Sequence, residues 1–150
     1  MSHSQLEMLT GMAKDARDQA GKLLAHERQT EQQTAAQLQS LNQYRAEYAE
    51  RLQKAMREGI DPATMYNYQQ FLASLDAALS RARQALIAQQ QRVQQSQQHW
   101  QQEQRKLSSY DTLASRRLLE EHRRLERSEQ KNNDELVTGR LARQRNETPH

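Results

Sequence analysis

No cysteine occurs in the 150 residues. That excludes disulfides, thiolate metal sites and a cysteine nucleophile, and it predicts a chain suited to a reducing cytosol. Only two prolines are present, Pro62 and Pro149, and only four glycines: Gly11, Gly21, Gly59 and Gly139. Disordered chains are usually rich in such breakers, so their scarcity argues against disorder. Aromatics make up 5% and all hydrophobic residues 35%, too little to fill a compact globular core. β-Branched residues are thin and never form a run, which excludes a sheet. No stretch approaches the ~18 apolar residues of a membrane span. The first residues carry charge from Glu7 onward and have no apolar centre, so no secretory leader is expected.

What fills the chain is Gln, Ala, Arg, Leu and Glu, all strong helix formers. One firm break exists, Glu58-Gly59-Ile60-Asp61-Pro62. Gly59 suits the left-handed residue that ends a helix. Asp61 suits an N-cap and Pro62 the first turn of the next helix. Helix one is therefore expected over about 4–58, a turn over 59–61, helix two over about 62–138 and a tail over 139–150. In helix two, Met65, Leu72, Leu79, Leu86, Val93, Trp100, Leu107 and Ala114 recur every seven residues, the mark of a coiled-coil seam. The companion row is apolar at Tyr68, Leu75 and Ala82 and polar at Gln89, Ser96 and Glu103. Helix one reads as two registers, Leu6-Leu9-Ala13-Ala16-Ala20-Leu23 and then Leu38-Leu41-Tyr48-Leu52-Ala55, separated by a four-residue stutter. A short turn makes the helices antiparallel neighbours, pairing residues whose numbers total about 120. Trp100 then falls opposite Ala20 and Gly21. Past about Leu118, helix two has no partner in the chain. The fold class is all-α: one long antiparallel two-helix coiled-coil hairpin with a C-terminal helical overhang, forming a single domain over 1–150.

Nothing in this pattern is catalytic. Gly21-Lys22 lacks the upstream glycine and the following Ser or Thr of a phosphate-binding loop. The five histidines are scattered, and no metal or cofactor site is expected. Two segments stand out. The first is Tyr66-Asn67-Tyr68-Gln69-Gln70-Phe71, with three of the seven aromatics. Phe71 lies on the flank of the seam, and Phe71, Leu75, Ala78 and Ala82 form a stripe. Either that stripe receives a partner, or Phe71 covers the seam beside the turn. The second is the run from Arg116 to Arg127. The net charge is +3, and the excess lies late in the chain: eleven Lys/Arg against seven Asp/Glu from Arg105 to Arg145. Leu118 and Leu125 keep a seven-residue step that helix one cannot cover. An external partner or a frayed basic tail are the two readings of that run.

At these places the chain resembles the flagellar FliJ family. Tyr66-Asn67-Tyr68-Gln69-Gln70-Phe71 matches the family motif at the start of its second helix. Tyr44-Arg45-Ala46-Glu47-Tyr48 and Glu129-Gln130-Lys131-Asn132-Asn133-Asp134-Glu135 resemble two further elements, and the likeness runs over about residues 5 to 140. The resemblance implies a non-enzymatic cytoplasmic component of the flagellar type III export apparatus, at the inner membrane. Such proteins are elongated coiled coils, similar to the central stalk of rotary ATPases. Their open end enters the hexameric export ATPase. Another face binds the cytoplasmic domain of the membrane export-gate protein, and export chaperones are handled as well. Carried onto matching positions, the ATPase contact falls on Glu129, Gln130, Lys131, Asp134 and Glu135, with Arg123, Arg124 and Arg127 beside them. The export-gate contact falls on Phe71, Leu75 and Ala78. A monomer that binds no nucleic acid is expected. The alternatives are a basic arm that does bind nucleic acid, a structural coiled coil that dimerises through its ends, and the equivalent stalk of a virulence secretion system.

Overall fold

The computed structural model describes residues 2–147. Two helices account for nearly all of them: α1, His3–Glu58, and α2, Pro62–Glu147. No strand occurs among the described residues. The fold is all-α, with the two helices packed against each other. α1 opens on a capping box that the expected start at residue 4 misses. The Ser2 hydroxyl accepts the Gln5 N–H at 3.2 Å, and the Gln5 side-chain oxygen accepts the Ser2 N–H at 3.0 Å. The turn follows its sequence. Gly59 has φ 95°, a conformation that strains any residue with a Cβ. Asp61 caps α2, accepting the Thr64 hydroxyl at 2.6 Å and the Thr64 N–H at 3.4 Å. These bonds, the hydroxyl first, hold the Asp61 carboxyl below the usual carboxylate range.

The contacts divide the chain into two compact units. The larger is Lys14–Gln104, the turn end of both helices. Here Ala20, Leu24, Leu75 and Leu79 are buried, and so are Gln89 and Ser96. The expected pairing holds. Arg45 Nε donates to Asp76 Oδ1 at 2.8 Å, and a Cβ added at Gly21 would lie 3.3 Å from Trp100 Nε1. Gly21 thus admits the indole where an alanine would press on it. The smaller unit joins α1 as far as Ala13 with α2 from Arg105 onward. Leu6, Ala13 and Leu107 are its buried residues.

Two expectations need correction. The stutter in α1 is absent. Its buried and half-buried seam residues step four and three alternately, through Leu6, Thr10, Ala13, Arg17, Ala20, Leu24, Glu27, Glu31, Thr34, Leu38, Leu41, Arg45, Tyr48, Leu52 and Ala55. The sequence reading followed apolar residues only. It chose Leu23, which is 47% exposed, over Leu24, which is 7% exposed. Polar residues keep the heptad where apolar ones lapse. Thr30 and Thr34 return their hydroxyls to the carbonyls of His26 and Thr30, at 3.1 and 2.9 Å. The second correction concerns the end of α2. It continues through Gly139 to Glu147 instead of ending near residue 138. One glycine costs a helix about 1 kcal/mol, and the Arg, Leu, Ala and Gln that follow favour continuation. Residues 148–150 of the expected tail lie outside the described residues.

The polar middle is ordered. Gln89 is 5% exposed, and its amide donates to the Glu27 carbonyl at 3.0 Å and to the Glu27 carboxylate. No buried side-chain polar atom lacks a partner among the described residues. A satisfied polar layer of this kind fixes register, because a slipped pairing would leave the amide unsatisfied.

The ion pair between the helices gives the hairpin an acid dependence. The Arg45 hydrogen bond is the first cause that holds the Asp76 carboxyl below its ordinary value. A carboxyl depressed in the folded state stabilises the fold above its unfolded pKa, about 3.9, and the gain disappears as pH falls through the folded value. Asp76→Asn should therefore lower the melting temperature at pH 7 and leave it nearly unchanged at pH 2. An equal difference at both pH values would sink this account.

Candidate functional site

Two surfaces match the sequence candidates, one in each unit. In the smaller unit, α1 ends its cover of α2 near Arg117. Every described side chain of α2 from Leu118 through Asn146 is exposed. This stretch holds Arg123, Arg124, Arg127, Glu129, Gln130, Lys131, Asp134 and Glu135, all exposed. Arg127, Gln130, Lys131, Asp134, Glu135 and Thr138 line one shallow groove along the helix. The expected ATPase-contact residues therefore share a helix, and most share a face. Neighbouring charges are interleaved. Arg124 Nη2 meets Glu121 Oε1 at 2.6 Å, and His122 Nε2 meets Glu126 Oε1 at 2.9 Å. These local pairs support the helix, as i,i+3 and i,i+4 spacing allows. Apolar residues stand uncovered among them: Leu118, Leu119, Leu125, Leu136, Val137 and Leu141 are 49–68% exposed.

Where α1 begins, a second groove of about 800 Å³ opens, lined by His3, Leu6, Glu7 and Thr10 of α1 and by Ala114, Arg117, Leu118 and Arg124 of α2, among others. Leu6 and Ala114 share it, as the pairing rule expects. Sequence reasoning missed the polar α1 side of this groove. Its only signal was His3 and Glu7 one turn apart, which now pair at 2.9 Å.

In the larger unit, Phe71 is half-buried rather than free. Its ring lies 4.2 Å from that of Tyr48 and 6.0 Å from that of Tyr44. Tyr68 joins at 6.0 Å from Tyr48, and Arg51 sits 5.3 Å over the Tyr48 ring. Phe71 packs over the seam beside the turn. Leu75 is 7% exposed and faces α1, so it offers nothing to an outside partner. Ala78 is half-buried. Phe71 and Ala78 are thus partly open at the surface, while Leu75 lies in the seam. What is open is a cleft lined by Tyr48, Thr64, Asn67, Tyr68 and Phe71.

No group of three or more His, Cys, Asp or Glu that could hold a metal occurs among the described residues. Among the described residues, no helix is long and apolar enough to cross a membrane.

Comparison with known proteins accounts for this layout. The pattern of the family described as "Flagellar FliJ protein" matches residues 1–147. The chain belongs to the flagellar FliJ family. The flagellar FliJ protein of Salmonella typhi is 32% identical over 135 residues, covering 90% of this chain and 92% of the relative. That of Escherichia coli (strain K12) is also 32% identical, over 114 residues, covering 76% of this chain and 78% of its own length. Among solved structures, a YscO homolog from Chlamydia trachomatis superposes with a TM-score of 0.73 at 12% identity, over 98% of this chain and 94% of the other. That likeness concerns the fold. Tyr44 and Tyr48 before the turn and Tyr68 and Phe71 after it meet in one aromatic cluster.

Proposed function

We propose that this FliJ-family chain is a non-enzymatic component of a flagellar type III export apparatus, acting at the cytoplasmic face of the membrane. Its exposed α2 segment enters the hexameric export ATPase and promotes ring assembly and turnover. The observation that carries this reading is the uncovered helix beyond Leu118, where charged side chains of both signs alternate with exposed leucines. A ring lined by several subunits offers many equivalent charged and apolar contacts to such a helix. Arg123, Arg124, Arg127, Glu129, Gln130, Lys131, Asp134 and Glu135 are the proposed contacts.

The second proposed partner is the cytoplasmic domain of the export-gate protein. Phe71 and Ala78 remain its candidates, with the cleft beside Tyr48 and Tyr68. Leu75 acts there only by supporting Phe71 from within the seam. Export chaperones belong to the same reading, as does a chain that works as a monomer in the ring. Nucleic acid does not: acidic residues interleave with the basic ones along the exposed helix, and the stacking aromatics that a nucleic-acid arm would need are absent there.

The test is a titration of the chain into the cognate ATPase, following ATP hydrolysis and ring assembly together. Stimulation that saturates near one chain per six ATPase subunits is the expected result. No stimulation at micromolar excess would remove the proposal.

A further inference from the structure

The exposed part of α2 carries a row that reads the same from either end. At 3.6 residues per turn, Leu118, Leu125, Glu129, Asn132, Leu136 and Arg143 fall within about 60° of arc. With His122 and Gly139, which fill the two steps of seven and face each other in the same pairing, they make the three–four spacing of a coiled-coil seam. α1 does not cover it, since Leu118, Leu125 and Leu136 are 68%, 51% and 64% exposed. The row is symmetric about the midpoint between Gln130 and Lys131. Set against itself antiparallel, it places Leu125 on Leu136, Glu129 on Asn132 and Leu118 on Arg143, each pair twice. Apolar meets apolar, and a carboxylate meets an amide donor. The arginine stem covers a leucine while its head reaches toward Glu121 of the second copy. The flanking pairs oppose no like charges: Ser128 meets Glu135 and Glu126 meets Asn133.

We infer that the exposed end of α2 pairs antiparallel with the same segment of a second copy, in a two-fold symmetric dimer. A two-fold contact must be self-complementary, and this row satisfies that condition residue by residue. The last turn of the second copy's α2 comes level with Ala114 and the groove lined by His3 and Leu6. Only two of the eight layers are purely leucine, so the dimer is weak, with a dissociation constant on the order of 100 µM. The self-pairing stands independently of the ATPase reading. If that reading also holds, the dimer covers the segment that enters the ring, and the two states exclude each other.

The experiment is sedimentation of the full chain over a wide concentration range, without ATPase. A monomer–dimer equilibrium is expected. Leu125→Glu should weaken it at least tenfold, and Glu129→Leu with Asn132→Leu should tighten it at least tenfold. Circular dichroism confirms that helix content is retained, and neither change touches the hairpin seam. Register is read with spin labels, because the chain has no cysteine of its own. A single label at Asp134→Cys places the two copies' labels about 10 Å apart along the axis, and one at Leu141→Cys about 30 Å apart. A monomer at every concentration, or equal distances at both labels as in a parallel pair, overturns the inference.

Discussion

Replacing Leu79 with alanine is expected to destabilise the protein by about 2–5 kcal/mol, the range for emptying a packed core site. Leu79 is 3% exposed, equal lowest with Leu6 among the buried residues. A seam between two helices has only two walls. Its layers are few, and each leucine is a large share of the whole. Relaxation to fill the hole is limited, because the Arg45–Asp76 pair and the Gln89–Glu27 layer bracket the site and hold the helices in register. At roughly 2–4 °C per kcal/mol for a chain of this size, the melting temperature should drop by about 4–20 °C. Leu118→Ala is the control. Leu118 is 68% exposed, and its change should stay within about 0.5 kcal/mol. Thermal unfolding followed by circular dichroism compares the two. Equal losses would mean that the seam does not carry the stability.

Reversing Arg124 and Lys131 together to glutamate is expected to raise the chain concentration needed for half-maximal ATPase stimulation at least tenfold. Both side chains are exposed, and both lie on α2 beyond the reach of α1. Reversal removes two attractions and creates two repulsions, and mispaired charges across an interface cost several kcal/mol. The loss should grow as salt is lowered, since exposed charges are then less screened. The melting temperature should barely move, because the Arg124–Glu121 contact is a local pair on an exposed helix. Both positions lie off the leucine row, so self-pairing is a separate readout. Unchanged stimulation by the double variant would refute the proposed ATPase contact while leaving the hairpin intact.

Much of the hairpin was legible from particular residues. Gly59, Asp61 and Pro62 marked the turn because each suits one backbone position and few others. The seven-residue row from Met65 to Ala114 marked the buried face of α2. The pairing rule placed Trp100 beside Gly21 and Leu6 beside Ala114, because two antiparallel helices joined by a short turn have one simple register. The candidate contacts were less legible. Phe71 looked like an exposed flank residue until Tyr44 and Tyr48 closed on it from the other helix. Leu75, read both as a seam position and as part of the Phe71 stripe, is buried in the seam.

By itself, the sequence determined that this protein is helical, where it turns, which face of α2 is buried and how far α1 can cover it. Those properties depend on local propensity and on spacing along one helix. The tertiary structure alone decided that Leu24 rather than Leu23 enters the seam, that Gln89 is satisfied by Glu27, and that the aromatic motifs form one cluster. The reason is physical. A long buried amide such as that of Gln89 holds its seam position because the opposite helix supplies its partner, and that partner lies 62 residues away in the chain.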